Sequence, residues 1–220
     1  MKKKYSGSQP DQRYEPATSV NLFLDRKGHE NEWEPEYLQK ISDYYKKIGL
    51  IRESYGHLFE QSEEGDFVDA MAILRRLTKD GVGEAVGSAQ FEQTDLGLIV
   101  KLKAEGVPPG EHGIHIHENP DVGQGEKDGK IQPGMAAGGH YDTMGTGKHL
   151  GPYGDGHLGD LPRAYALEDG TIDAVILAPR LTLEDVRGRS IIVHSGGDNY
   201  SYKPDPMGGG KSRMLGGVIE

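Results

Sequence analysis

His115-Ile116-His117 places two imidazoles two residues apart. Side chains on a β-strand alternate faces, so both rings would leave the same side of the chain, about 7 Å apart at their backbones. Three further histidines, His140, His149 and His157, follow in a long stretch, with Asp160 three residues after the last. They stand among glycines, as in Gly138-Gly139-His140 and Gly156-His157-Leu158-Gly159, which lets the backbone bend a ligand inward. His194 ends the apolar run Ile191-Ile192-Val193, where a strand would enter a loop. A lone histidine in any of these settings is usually structural. Six of them with one carboxylate point to metal. Neutral imidazole suits copper and zinc, and three histidines with an aspartate suit tetrahedral zinc. The chain has no cysteine, so a thiolate site is excluded. The other three histidines, His29, His57 and His112, read as structural.

Strands must carry these ligands. Segments 70–77, 84–93, 96–103, 112–118, 161–167, 171–177, 189–194 and 213–219 have strand character. Lys79-Asp80-Gly81, Thr94-Asp95, Pro108-Pro109-Gly110 and Glu168-Asp169-Gly170 supply turns between several of them. Eight short strands predict an all-β antiparallel sandwich or barrel. Helix is nearly absent, apart from a turn at 183–186. Two connections, 119–160 and 195–212, exceed the usual loop length of ~12–15 residues and read as functional loops.

The first 68 residues differ in texture. Residues 1–32 are polar and aperiodic, resembling a draped arm. Beyond Pro35, Leu38, Ile41, Tyr45 and Ile48 recur at helical spacing, and Ile51, Tyr55 and Leu58 continue the stripe after Gly49. An acidic linker at 61–66 precedes the strands, so the expected division is an extension at 1–68 and a β domain at 69–220. Net charge is −10, of which −3 lies in 1–68 and −7 in 69–220. That balance opposes nucleic acid as a partner, because phosphate binding needs a basic patch. No apolar run approaches the ~20 residues of a membrane span. Met1-Lys2-Lys3-Lys4 has no apolar stretch behind it and does not read as a signal peptide.

Several segments together resemble the copper–zinc superoxide dismutase family, especially its bacterial branch. They are Gly113-Ile114-His115-Ile116-His117-Glu118, Ala137-Gly138-Gly139-His140-Tyr141-Asp142, Lys148-His149-Leu150-Gly151-Pro152 and Gly156-His157-Leu158-Gly159-Asp160-Leu161-Pro162, followed by Ile192-Val193-His194-Ser195-Gly196-Gly197-Asp198 and Arg213 with Gly217-Val218-Ile219. The resemblance covers about residues 70–220 and implies an eight-stranded Greek-key barrel. It implies copper on His115, His117, His140 and His194, and zinc on His140, His149, His157 and Asp160, with His140 shared. Asp198 matches the carboxylate that tethers a copper-ligand histidine to a zinc-ligand one, here His115 and His149. Arg213 matches the guanidinium that attracts and orients the anionic substrate, superoxide. Lys148 resembles the bacterial steering lysine, and Lys203 and Lys211 are weaker candidates.

The family usually ties its long loop to the last strand with one disulfide. Val122 and Gly216 stand at those positions, so the cross-link is absent. Closing a loop of about 94 residues would contribute on the order of 4–5 kcal/mol. The expected offset is the amphipathic stretch 38–59 packing on the barrel. The resemblance implies an exported or anchored protein, although a chain without cysteine would work equally in a reducing cytosol. It leaves the oligomeric state open. A non-enzymatic copper- and zinc-binding protein on the same fold is the alternative function. Such relatives typically lose a copper ligand or the arginine, and all are present here.

Overall fold

Residues 69–220 are described by the computed structural model. The amphipathic stretch, His29, His57 and the acidic linker lie outside the described residues. The first strand, β1 (Ala70–Thr78), buries alternate side chains, Ala70, Ala72 and Leu74. Its register against β2 (Gly81–Thr94) then shifts at Arg75, and this bulge returns Leu77 to the interior one residue out of phase. β3 (Gly97–Ala104) pairs with β2, and β9 (Ile172–Ala178) pairs with β3.

The ligand-bearing strands lie toward the other edge of the same sheet. β5 (Ile114–His117) pairs with β10 (Ser190–His194), which pairs with β11 (Arg213–Val218), which pairs with β1. The seven-stranded antiparallel order is therefore β5-β10-β11-β1-β2-β3-β9. β4 (Gly110–His112) and β8 (Ala164–Ala166) form a separate ribbon, and their buried Ala164 and Ala166 join the common core. The expected strand at 112–118 is thus broken at Gly113. The other seven expected strands are present within a few residues, in a mostly β fold with long crossing connections. Phe91, Leu74, Leu98, Leu102, Ile114 and Ile191 are among the fully buried side chains that fill the interior.

β5 is buried on both faces. Ile114 and Ile116 face the core, so alternation sends His115 and His117 to the opposite face. Those rings are buried because the long connections fold over them.

The first connection is far from structureless. It holds a hairpin, β6 (Gly125–Lys127) and β7 (Lys130–Gln132), turned by Asp128 and Gly129 at positive φ. That Asp-Gly pair is the dipeptide a tight hairpin demands. The expected turn at 183–186 is a one-turn helix, α1 (Leu183–Val186). Thr182 and Asp185 cap it reciprocally.

Val122 and Gly216 meet where the cross-link would lie. A Cβ built on Gly216 would stand 3.2 Å from Val122 Cγ1 and 2.7 Å from Ile192 Cδ1. Leu77, Val122, Ala137 and Ile192 form a small buried apolar cluster at this point. Burying a valine side chain contributes about 1.5–3 kcal/mol. This plug therefore offsets part of the missing cross-link, not all of it.

Candidate metal centre

Backbone pairing assembles the site before any side chain does. His117 bridges His140, and His115 bridges Asp160, each across an isolated antiparallel contact. Ile116 N–H donates to the Gly159 carbonyl at 2.8 Å, and Tyr141 N–H donates to the Ile116 carbonyl at 2.9 Å. The long connection thus lies against β5 as a roof. In the β10–β11 register, His194 is the cross-strand partner of Arg213.

Four rings, His115, His117, His140 and His194, offer nitrogens that all lie within 4.8 Å of one another. A second cluster of His115, His140, His149 and Asp160 meets the same limit. His140 belongs to both and lies centrally, with ring centroids 5.0 Å from His117, 5.4 Å from His149 and 5.3 Å from His157. Its Nδ1 is 2.8 Å from Asp160 Oδ1. His149 Nδ1 lies 2.9 Å from Asp160 Oδ2, and His157 Nδ1 lies 3.5 Å from Asp160 Oδ1. Three Nδ1 atoms therefore converge on one carboxylate. Edges of about 3 Å suit a tetrahedron with bonds of ~2.0–2.1 Å.

Hydrogen bonds to the far nitrogens fix which atom of each ring is free. Asp198 Oδ2 accepts from His115 Nε2, and Asp198 Oδ1 accepts from His149 Nε2, both at 2.8 Å. His117 Nδ1 donates to the Gly138 carbonyl at 3.1 Å. The opposite nitrogens, His115 Nδ1, His149 Nδ1 and His117 Nε2, are buried without a hydrogen-bond partner, as are His157 Nδ1 and both nitrogens of His194. Buried polar atoms are almost always satisfied, and an orphan costs about 1–3 kcal/mol. Buried donors without partners that converge on one place suit the coordination of cations. The donor set of imidazole nitrogens and one carboxylate fits copper and zinc.

Charge favours the same conclusion. Burial, followed by repulsion from His140, Arg213, His194 and His115, holds His117 well below its ordinary value. Burial does the same to His194 and lowers His140 to about 3, so these rings are neutral, as ligands must be. Burial also opposes a charge on His149, but Asp160 and Asp198 outweigh it and raise this ring to about 9. Two buried carboxylates thus favour positive charge between them. Burial disfavours the charge on both aspartates, yet the facing imidazoles keep each carboxylate below its ordinary value.

The other candidate residues fall into two groups. Arg213 donates from Nη1 to the Gly134 carbonyl and from Nη2 to the Gly138 carbonyl, each at 2.6 Å. Gly138 O also accepts from His117, which ties the guanidinium to the first cluster. Burial lowers Arg213 to about 10, which leaves it a cation at neutral pH. Lys148, Lys203 and Lys211 are exposed. Lys148 also meets the site through its backbone, because its carbonyl accepts from His157 N–H at 2.8 Å. His112 is buried with Nδ1 2.7 Å from the His194 carbonyl and Nε2 2.8 Å from the Pro108 carbonyl. It supports the backbone of His194 and stays outside both clusters.

A family model described as copper/zinc superoxide dismutase matches residues 85–219. The chain belongs to the copper/zinc superoxide dismutase family. Superoxide dismutase [Cu-Zn] of Brucella abortus biovar 1 is 52% identical over 141 residues, which span 64% of this chain and 82% of that protein. Superoxide dismutase [Cu-Zn] of Escherichia coli K12 is 45% identical over 148 residues, 67% of this chain and 86% of that protein. A solved Cu/Zn superoxide dismutase from Brucella abortus superposes with a TM-score of 0.68 at 48% identity, covering 69% of this chain and all of that one.

Some residues that organise this superoxide dismutase site gave no signal in the sequence. Arg163 donates from Nη1 to the Asp198 carbonyl at 2.7 Å, and Arg189 stacks over the Tyr141 ring at 3.6 Å. Both are ordinary arginines until the fold places them. Gly208 is legible only in hindsight. Its φ is +70°, and a Cβ there would stand 1.9 Å from Asp198 Oδ1, so any other residue would displace the carboxylate.

Proposed function

We propose that His115, His117, His140 and His194 hold copper, that His140, His149, His157 and Asp160 hold zinc, and that His140 serves both. The reaction is the disproportionation of two superoxide anions and two protons to oxygen and hydrogen peroxide. His140 carries this reading, because it is the ring that belongs to both clusters with its Nδ1 on Asp160. His115 also falls within reach of the second cluster. Its Nε2 is taken by Asp198, however, so it has one nitrogen to give, and His157 with its orphaned Nδ1 completes the zinc set.

Copper would supply one-electron chemistry through its two oxidation states, and zinc, which has no redox chemistry, would supply fixed positive charge beside His140. With Nδ1 of His140 turned to Asp160, Nε2 is the atom that takes a proton and returns it to the peroxide product. Asp198 keeps His115 and His149 in the tautomer that frees their Nδ1 atoms. Arg213 draws the substrate in and orients it. Lys148 assists as an exposed cation next to His149 in the chain.

Both protein and substrate are negative, so a local field must overcome the global charge. The Debye length is ~30 Å at 0.01 M salt and ~8 Å at physiological strength. Copper- and zinc-loaded protein should therefore dismute superoxide rapidly, with a rate that falls several-fold across that range as steering is screened. Metal-replete protein that decays superoxide no faster than free copper would instead favour a metal carrier on the same fold.

The described residues contain no helix long and apolar enough to cross a membrane. The family resemblance favours an exported or anchored protein. In the same reading, residues 69–220 are the catalytic unit and 1–68 an extension whose apolar stripe packs on the barrel. If the extension offsets the remaining ~2 kcal/mol of the lost cross-link, removing residues 1–65 lowers the thermal midpoint by about 4–8 °C. An unchanged midpoint with full metal retention would show that the Val122 plug suffices.

A further inference from the structure

Arg180 follows β9 and lies outside both ligand clusters, yet its guanidinium reaches across to the loop that carries two of the zinc ligands. Nε donates to the Pro152 carbonyl at 2.9 Å, and Nη1 donates to the Gly156 carbonyl at 3.3 Å. Nη2 donates to the His157 carbonyl at 2.5 Å and to the Gly151 carbonyl at 3.4 Å. All three nitrogens are engaged, and all four acceptors are main-chain carbonyls between residues 151 and 157. His149 lies just before that span, His157 ends it, and Asp160 follows it.

The span needs such support. Gly151, Gly154 and Gly156 leave it little intrinsic stiffness, and ordering glycine costs more conformational entropy than ordering any other residue. Among the described residues it belongs to no strand or helix. A main-chain bond from His157 N–H to Lys148 O closes its two ends. A planar fork of donors with fixed directions can hold several carbonyls at once, and a lysine ammonium cannot span them.

We propose that Arg180 is a positioning residue of the zinc half-site, which fixes the backbone between His149 and His157 so that both rings meet Asp160. This rests on the zinc assignment above. In a chain without the usual cross-link, the first arm of the loop is held by the Val122 plug and the second by Arg180.

The test uses the full chain loaded with copper and zinc, as wild type, Arg180→Lys and Arg180→Met. Zinc release into a chromogenic chelator is timed, and bound copper and zinc are counted before and after. Both variants should release zinc about 10- to 100-fold faster, the usual effect of losing support behind a ligand, while copper content holds. Cobalt(II) placed in the zinc site should show weakened visible bands in the variants, reporting a distorted tetrahedron. Thermal midpoints of the metal-free proteins should stay close to wild type. Release at the wild-type rate from either variant overturns the proposal, as does a metal-free midpoint that falls as far as the metal-loaded one. Wild type that retains no zinc overturns the underlying assignment and this inference with it.

Discussion

Replacing His140 with alanine should lower superoxide dismutation by about 10²–10⁴-fold and release zinc far more readily than copper. The asymmetry follows from the two donor sets. Without His140, the first set keeps three imidazoles, His115, His117 and His194, of which His115 is aimed by Asp198. The second keeps two imidazoles and a carboxylate, on a glycine-rich loop outside any strand or helix. The rate loss reflects the missing proton carrier, for which a positioned acid–base group typically contributes that range. Stopped-flow decay of superoxide, with copper and zinc counted on the same sample, checks both halves. Wild-type zinc retention and wild-type rate in this variant would mean that the ring is not shared.

Neutralising Arg213, as Arg213→Met, should slow the reaction about 10- to 100-fold and flatten its dependence on salt. The structure explains why one residue has such weight in a chain of net charge −10. Its partners are the Gly134 and Gly138 carbonyls, and among the described residues no carboxylate pairs with it. An arginine in an ion pair would present little field. This one is oriented by dipoles and keeps its full charge. At 5 Å and an effective dielectric of 20, two unit charges interact by about 3 kcal/mol, which accommodates the expected change. Arg213→Lys should recover part of the rate, because charge persists without the fork. Stopped-flow rates at low and physiological salt read the effect. A methionine variant with the wild-type rate and slope would remove the residue from substrate capture.

The legible part of the fold was the part written in short-range rules. Turn dipeptides and alternating apolar residues marked strands such as β2, β3 and β9, because those rules act between neighbours on one segment. The bulge in β1 was not visible, since Arg75 looks like any exposed position until β2 sets the register. The hairpin at β6 and β7 went unread although Asp128-Gly129 announced it, because the segments beside it are short and exposed. The break at Gly113 likewise depends on tertiary contacts. Gly113 N–H donates to Gly196 O, and its carbonyl accepts from His194 N–H, as the chain leaves one sheet for the other.

For the site, the sequence by itself determined the inventory: which side chains can ligate, which pairs leave a strand on one face, and which glycines permit an inward bend. Only the tertiary structure decided which nitrogen of each ring is spent on a hydrogen bond and which is left for a cation. That choice is made by Asp198, 83 residues from His115 and 49 from His149, and no local rule reaches so far. It also decided that Val122 packs with Leu77, Ala137 and Ile192, and that Arg180 bonds four carbonyls between residues 151 and 157. Spacing along a chain fixes direction within one element. Closure between elements is set by sheet register and loop packing, where the energy lies in burying apolar faces and satisfying distant carbonyls.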